Sequence, residues 1–186
     1  MDGYIKNNFG SRRGLYQYCK AWILQQFGYW NRYTDIPFDK VKRLIFICNG
    51  NICRSPLAEA VAREAGFKAE SFGLECTRGA KADPRAIQFA ENKGYDINSH
   101  SARPIEDYSP ETGDLIVGME LEHIETPCIE KQDSTYRTLL GLWGDNPLSY
   151  IHDPYNTNPA YFNKCENDVI ERTRRLLQNL QCGPKA

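Results

Sequence analysis

Several common features are missing from this 186-residue sequence, and each absence excludes a class of protein. No apolar run approaches the 18 or more residues of a membrane-spanning helix. There is no Cys-x-x-Cys pair, no internal repeat and no low-complexity tract. A clean apolar signal-peptide stretch is also missing, because Gln, Lys and Tyr interrupt the segment after Arg12 and Arg13. The seven cysteines are an odd number without regular spacing, so we expect free thiols in a reducing cytoplasm.

The sequence also lacks a strong excess of charge of either sign. The net charge of −1 gives no reason to expect nucleic acid as a partner. This average conceals an asymmetry, because residues 1–43 carry eight Lys and Arg against three Asp, whereas residues 44–186 carry a net −6. With 41% hydrophobic and 25% charged residues, the chain has enough apolar material for one domain with a core.

From residue 42 onward, short apolar runs alternate with helical patterns. We predict strands at 43–48, 69–73, 114–119 and 136–142, and helices at 57–65, 83–94 and 160–180. Proline opens the first two helices and glycine follows their last turns, as is typical of helix starts and ends. This alternation predicts an α/β fold with a parallel sheet covered by helices on both faces.

Residues 1–40 do not fit that scheme, and we predict an aromatic, basic helical extension at 1–40 before a domain at 41–186. Apolar residues recur there at steps of three and four, as on one face of a helix: Leu15, Tyr18, Cys19, Trp22, Ile23, Phe27 and Trp30. The simpler interpretation is that this helix packs on the domain. The alternative is a helix that contacts a partner or a membrane surface, because it is rich in Trp, Tyr and basic residues.

The segment from Cys48 to Ser55 lies between a predicted strand and a predicted helix, where parallel α/β folds bind ligands. A loop with its amide groups turned inward, next to the positive end of a helix, binds a dianion. Gly50 relieves the steric cost of a positive φ, and Asn51 tolerates one. Arg54 offers a planar fork to two phosphate oxygens. The same donors hold Cys48 as a thiolate, so the pattern indicates a nucleophile for phosphoryl transfer.

Other residues have simpler interpretations. An Asp before Pro, as in Asp153-Pro154, is usually a turn former, but beside such a loop it is a candidate general acid. His123 and His152 have no acidic or cysteine neighbours at ligand spacing, so no metal site is predicted. Cys53, Cys76 and Cys165 are interpreted as small buried hydrophobes. Four glutamates are interpreted as a solvated face: Glu120, Glu122, Glu125 and Glu130.

The loop from Cys48 to Pro56, followed by Ala58-Glu59 and the distant Asp153-Pro154-Tyr155, resembles the low molecular weight protein-tyrosine phosphatases. Further matches lie at 71–73, 79–84, 99–103 and 114–119, so the resemblance covers about residues 43–181. It implies a flavodoxin-like phosphatase fold, in which a four-stranded parallel sheet carries helices on both faces. The N-terminal helical extension is foreign to that pattern.

The resemblance also implies roles for individual residues. Cys48 would form a phosphocysteine, Arg54 would bind the phosphoryl oxygens, and Asp153 would act first as acid and then as base. Cys53 would form a reversible disulfide with Cys48, and no metal or organic cofactor would take part. The implied phosphate-binding loop consists of Asn49, Gly50, Asn51, Ile52, Cys53, Arg54 and Ser55. The implied supporting residues are Ser71, His100 and Tyr155.

The implied substrate is a phosphotyrosine protein, and the likeness to bacterial members points to a tyrosine kinase of polysaccharide export. Residues 1–40 could then hold a cytoplasmic enzyme at a membrane face or on that kinase. Three alternatives stay open. Thioredoxin-coupled arsenate reductases need a close pair of downstream cysteines, whereas Cys76 and Cys128 are isolated. Protein-arginine phosphatases tend to carry Thr where this chain has Ile52, and a phosphate-binding adaptor would not need Asp153.

Overall fold

The computed structural model of the protein describes residues 2–126, 129 and 135–182. Within these residues, four parallel strands form one sheet in the order β2-β1-β3-β4: β1 (Arg43–Cys48), β2 (Ala69–Gly73), β3 (Asp114–Gly118) and β4 (Tyr136–Leu139). The α-helices are α1 (Asp2–Phe9), α2 (Arg12–Gln26), α3 (Arg54–Glu64), α4 (Pro84–Asn92) and α5 (Pro159–Cys182). The predicted α/β fold, with a four-stranded parallel sheet and N-terminal helices, is confirmed.

The central strand β1 is buried on both faces of the sheet. Leu44 and Phe46 pack in the hydrophobic cluster that includes α3 and α5, whereas Ile45 and Ile47 pack in a second cluster with Trp30. Successive side chains of a strand point to opposite faces, so burial of both faces explains the continuous apolar run in the sequence.

Strand β4 is shorter than the predicted strand at 136–142. It ends at Leu139, and Leu140–Leu142 form a 3-10 turn. The backbone N–H of Leu148 donates to the carbonyl oxygen of Gly141 at 2.8 Å, and a Cβ on Gly141 would lie 1.9 Å from the oxygen of Leu148. This close approach occupies a backbone group that a longer strand would need for its own pairing.

The helices around the sheet begin and end within a few residues of their predicted bounds. Asp83 caps α4, because its side chain accepts a hydrogen bond from the backbone N–H of Arg85. Helix α3 starts at Arg54, three residues before its predicted start. Its N-terminus therefore follows directly on the loop that begins at Cys48.

Residues 2–26 form a pair of helices, α1 and α2, called the N-terminal hairpin below. The side chain of Ser11 caps α2 by accepting the backbone N–H of Gly14 at 2.9 Å. The buried residues of α2 are Gly14 and Ala21. The predicted apolar face is largely exposed instead: Tyr18 at 41%, Trp22 at 53%, Ile23 at 50% and Phe27 at 82%. Helix α2 packs on the domain, as the simpler interpretation predicts, but it does so through Gly14 and Ala21 rather than through this face.

The residues that follow the hairpin contribute buried side chains to the core. Trp30, Tyr33, Ile36 and Phe38 are all buried, and Trp30 Nε1 donates to the carbonyl oxygen of Ala21 at 3.1 Å. The boundary at residue 40 stays a prediction. None of the helices in the described part of the chain combines the length and the apolar character that a bilayer crossing needs.

Candidate active site

The loop after β1 carries residues 49–55 to the C-terminal edge of the sheet, where the positive end of the α3 dipole follows it. The left-handed backbone conformation in this loop belongs to Asn51, with φ 50°. The expectation that Gly50 takes a positive φ is wrong. Asn tolerates this conformation better than most residues, since its short polar side chain can bond locally.

Cys48 lies at the base of the loop with 2% of its surface exposed. Its Sγ accepts a hydrogen bond from the backbone N–H of Asn51 at 3.2 Å and lies 3.0 Å from Oγ of Ser55. Donors of this kind, beside a helix N-terminus, stabilise a thiolate. The surroundings of Cys48 therefore suit a nucleophile.

The side chain of Asn51 ties the loop to two other segments. Its Nδ2 donates to Oγ of Ser55 and of Ser71, each at 2.9 Å, and its Oδ1 accepts the backbone N–H of Arg103 at 2.8 Å. His100 Nε2 lies 2.7 Å from the backbone oxygen of Asn51. Burial lowers the pKa of His100, although the bond to Asn51 opposes it, so the neutral ring donates through Nε2.

Glu59 extends this network, although it was not predicted as a site residue. Ser71 donates its hydroxyl to Oε2 of Glu59, and Arg63 contacts Oε1 at 2.8 Å. Burial raises the pKa of Glu59, while the bond from Ser71 lowers it. A sequence signal for Glu59 as a site residue was its position directly after the loop, in the Ala58-Glu59 pair of the motif.

Arg54 is 1% exposed and is surrounded by acceptors. Its Nη1 donates to Glu120 Oε1 at 2.9 Å and to the backbone oxygen of Ile151 at 2.8 Å, and its Nη2 lies 3.0 Å from Asp153 Oδ2. Burial alone would lower the pKa of Arg54, but nearby negative groups, Asp153 first, raise it well above its ordinary value. Nε has no hydrogen-bond partner among the described residues, so the Nε–Nη2 edge can bind two oxygens of an anion.

Glu120 belongs to the site. The prediction that it lies on a solvated face is wrong. Its side chain is 16% exposed and forms the ion pair with Arg54. Burial raises the pKa of Glu120, and Arg54 lowers it. Glu125 is also paired, with Arg32 at 3.1 Å, and Glu130 lies outside the described residues. A signal for Glu120 was available, because it follows β3 at the ligand-binding edge of the sheet.

The expectation that His123 has no acidic neighbours is also wrong. Ligand atoms of Glu120, Glu122 and His123 lie within 4.8 Å of one another, a spacing that could hold a metal ion. However, His123 Nδ1 accepts the backbone N–H of Glu120 at 2.9 Å. Burial lowers the pKa of His123, so its ring is neutral with the proton on Nε2. In this arrangement neither ring nitrogen offers a lone pair to a metal.

A cavity of about 380 Å³ opens above the loop and receives Cys48, Arg54, Asp153 and Tyr155. Asp153 Oδ1 accepts the backbone N–H of Tyr155 at 3.1 Å, and the Tyr155 side chain is half exposed at the mouth. The structure thus brings the predicted nucleophile, arginine and acid to one cavity, although they are up to 105 positions apart in the sequence. Their catalytic roles remain predictions.

The other cysteines divide into buried and cavity-lining residues. Cys76 is partly exposed and lines the cavity, so its interpretation as a buried hydrophobe is wrong, whereas Cys165 is buried as predicted. Cys53 is buried at the start of α3, and burial raises the pKa of its thiol. The disulfide between Cys48 and Cys53 stays a prediction, and Cys128 lies outside the described residues.

Comparison with known proteins defines the class of enzyme. Residues 43–185 match the model of the family described as low molecular weight phosphotyrosine protein phosphatase. The chain is 37% identical over 135 residues to the low molecular weight protein-tyrosine-phosphatase Wzb of Escherichia coli K12. The aligned region covers 71% of this chain and 90% of Wzb. The chain therefore belongs to the low molecular weight protein-tyrosine phosphatase family.

Solved structures agree with this assignment. The phosphatase Wzb from Escherichia coli K30, in complex with sulphate, superimposes with a TM-score of 0.62 at 28% identity, covering 75% of this chain and 99% of Wzb. The tyrosine phosphatase AmsI of Erwinia amylovora gives the same score and identity, covering 74% of this chain and 92% of AmsI.

Proposed function

We propose that this protein hydrolyses phosphotyrosine on proteins through a phosphocysteine formed on Cys48. The observation that carries the proposal is the convergence of Cys48 Sγ, the Nε–Nη2 edge of Arg54 and the carboxyl of Asp153 on one cavity. Phosphoryl transfer to a thiolate needs a nucleophile, a charge clamp and a proton donor, and these three groups supply them.

The reaction proceeds in two displacements. The Cys48 thiolate attacks phosphorus, an S–P bond forms, and the bond to the phenolic oxygen breaks as that oxygen takes a proton from Asp153. The Asp153 carboxylate then accepts a proton from water as the water oxygen attacks phosphorus and the S–P bond breaks. Inorganic phosphate leaves, and Arg54 with the loop N–H groups holds the phosphoryl oxygens throughout.

Residues at the cavity wall support an aromatic leaving group. Ile52 and Tyr155 both line the cavity, and the Tyr155 ring is half exposed there. An apolar Ile52 side chain can pack against a phenyl ring but leaves the donors of a phosphoarginine guanidinium unpaired. The relative Wzb was solved in complex with sulphate, which supports an oxyanion site in this chain.

Turnover of phosphotyrosine, phosphoserine and phosphoarginine peptides tests the proposal. We expect phosphotyrosine to react fastest, and the Cys48→Ser variant to be inactive. Asp153→Ala should lower kcat/KM for phenyl phosphate by about 10²- to 10⁴-fold, and kcat/KM for dinitrophenyl phosphate far less, because only a poor leaving group needs the proton and kcat/KM does not include the later hydrolysis of the phosphocysteine. Exposed Cys19→Ser and Asp145→Ala serve as matched controls. Turnover by Cys48→Ser, or equal losses with both esters, would overturn the mechanism.

The proposed partner is a tyrosine kinase of polysaccharide export or one of its substrates, and the proposed location is the cytoplasmic face of a membrane. The exposed apolar face of α2 supports surface binding, because Trp22, Ile23 and Phe27 are each at least half exposed there, although the ring of Tyr18 packs against Phe9. Basic residues accompany this face on the same helix, as in helices that lie on anionic membranes.

A further inference from the structure

The N-terminal hairpin meets the rest of the protein at His152, the residue directly before Asp153. Oγ of Ser11 lies 3.0 Å from His152 Nε2, and the hydroxyl of Tyr150 lies 2.6 Å from His152 Nδ1. Burial lowers the pKa of His152, so the ring is neutral. A neutral imidazole has one donor and one acceptor nitrogen, and the two hydroxyls satisfy both.

Two glycines make this contact possible. A Cβ built on Gly10 would lie 2.6 Å from His152 Cδ2, and one on Gly14 would lie 2.9 Å from the same atom and 1.9 Å from the backbone oxygen of Phe9. Real Cβ contacts are longer than this, so the imidazole lies directly against the hairpin backbone. Gly14 is inside α2, where glycine costs about 1 kcal/mol relative to alanine. The close approaches of Phe9 and His152 together account for a glycine at this position.

The segment 151–153 is therefore held from two sides. On the active-site side, Arg54 contacts the backbone oxygen of Ile151 at 2.8 Å and Asp153 Oδ2 at 3.0 Å. On the opposite side, the hairpin holds the His152 ring. Additional bonds join α1 to the start of α5, from Asn158 to Asn7 at 2.8 Å and from Lys164 to Asn8 at 3.0 Å.

We infer that the N-terminal hairpin positions the general acid, and that Ser11 and His152 are positioning residues for Asp153. This inference rests on the proposed function, because it assigns the hairpin a part in the step that Asp153 performs. The side chain of His152 is fixed between Ser11 and Tyr150, and its backbone carries the next residue, Asp153. A released hairpin leaves Asp153 held by Arg54 and by the backbone N–H of Tyr155 only, so a smaller fraction of its conformations reaches the leaving oxygen.

The dependence of the rate on the leaving group separates positioning from general stabilisation. We compare kcat/KM for phenyl phosphate and dinitrophenyl phosphate in the full chain and two variants, because kcat/KM reports the step in which the leaving group departs. Gly14→Leu blocks the contact sterically and also crowds the backbone oxygen of Phe9, and His152→Phe keeps a ring but removes both nitrogens. Each should lower kcat/KM for phenyl phosphate about five- to tenfold, the value of one lost hydrogen bond, and change kcat/KM for dinitrophenyl phosphate less than about twofold. The matched control is Gly3→Leu in α1, since no described atom lies within 4 Å of a Cβ there.

The same variants in an Asp153→Ala background complete the experiment. Because the hairpin acts through Asp153, neither variant should lower kcat/KM further in that background. Equal losses of kcat/KM with both esters, additive losses in the Asp153→Ala background, or a lower melting temperature with unchanged kcat/KM would overturn the inference. If Gly14→Leu fails to fold, His152→Phe decides. If Asp153→Ala itself fails to discriminate between the esters, the proposed function fails as well, so the two failures are distinguishable.

Discussion

Arg54 takes its orientation from acceptors on two segments that the sequence separates widely. Glu120 follows β3, and Ile151 and Asp153 precede α5, yet all three contact the same guanidinium. Both Nη1 protons are used by Glu120 and Ile151, which fixes the plane of the group. The remaining edge, Nε with Nη2, then has one direction in which to bind phosphoryl oxygens.

This arrangement predicts that Glu120 supports catalysis without contacting the reacting atoms. Glu120→Ala should lower kcat/KM about 10- to 100-fold, because a charged hydrogen bond to a buried guanidinium is lost. Glu120→Gln keeps an acceptor oxygen and should lose less. Steady-state kinetics with phosphotyrosine peptides measures both. The exposed neighbour Glu122→Ala is the control, and equal kcat/KM in all four proteins would contradict the prediction.

The residues that sequence reasoning found and missed differ in how their roles arise. Cys48 and Arg54 lie at a fixed spacing within one loop motif, and Asp153 precedes a proline in a recognisable segment. Glu59 and Glu120 carry no such pattern, since each becomes a site residue only through partners that the fold brings to it. Their charges look like surface charges until burial is known.

At the scale of elements, periodicity predicted helix α2 but not which of its faces is covered. A repeat of apolar residues at three and four positions shows where an apolar stripe lies, not what packs against it. The contact with the domain uses small residues instead, Gly14 and Ala21, which allow close approach and leave no hydrophobic signal. Strands β1 and β3 were predicted closely because burial on both faces makes each a plain apolar run, whereas β4, with the sequence Tyr-Arg-Thr-Leu, is shorter than predicted.

The uncovered stripe predicts binding to a lipid surface. The double variant Trp22→Ser with Phe27→Ser should weaken partition onto vesicles of anionic lipid by at least about tenfold, because burial of each aromatic side chain contributes about 1.5–3 kcal/mol. Co-sedimentation with the vesicles measures this. Gln26→Ser, at an exposed polar position of the same helix, should bind as the unchanged protein does. Unchanged binding of the double variant, or no binding of any protein, would contradict the prediction.

At the scale of the whole molecule, stability includes the cost of an acid buried in α5. Glu166 is fully buried, and neither of its carboxyl oxygens has a hydrogen-bond partner in the part of the chain that the structure describes. Burial raises its pKa to about 8, against the attraction of Arg54. The folded protein therefore keeps this group protonated at pH values where the unfolded chain, with a pKa near 4.5, releases the proton.

The contribution of Glu166 to the free energy of unfolding should consequently fall as pH rises from about 4.5 to about 8, and then level off. The loss through Glu166 is on the order of 3 kcal/mol at pH 7. Glu166→Gln should remove this part of the slope, as measured by urea unfolding between pH 5 and pH 8.5. The exposed Glu171→Gln on the same helix should keep it. An unchanged slope in Glu166→Gln would contradict the assignment.

The charge asymmetry of the chain marks two parts, and the structure joins them at several places, of which the contact with His152 is one. The sequence could predict that residues 1–40 differ in composition from the phosphatase part. It could not predict that Gly10, Ser11 and Gly14 meet His152, because the contact joins residues about 140 positions apart. Such contacts depend on the path of the whole backbone rather than on any local pattern.

Because Arg54 and Asp153 form an ion pair, the enzyme's own carboxylate competes with anionic ligands for the Arg54 guanidinium. The Asp153 carboxylate lies 3.0 Å from Nη2 of the guanidinium that receives the phosphoryl group, so a ligand oxygen that approaches Nη2 from this side must displace it. The apparent affinity for such an anion is then lower than the intrinsic one, by the fraction of molecules in which the pair is open. Inorganic phosphate meets the same competition, so the returning carboxylate helps to expel the product.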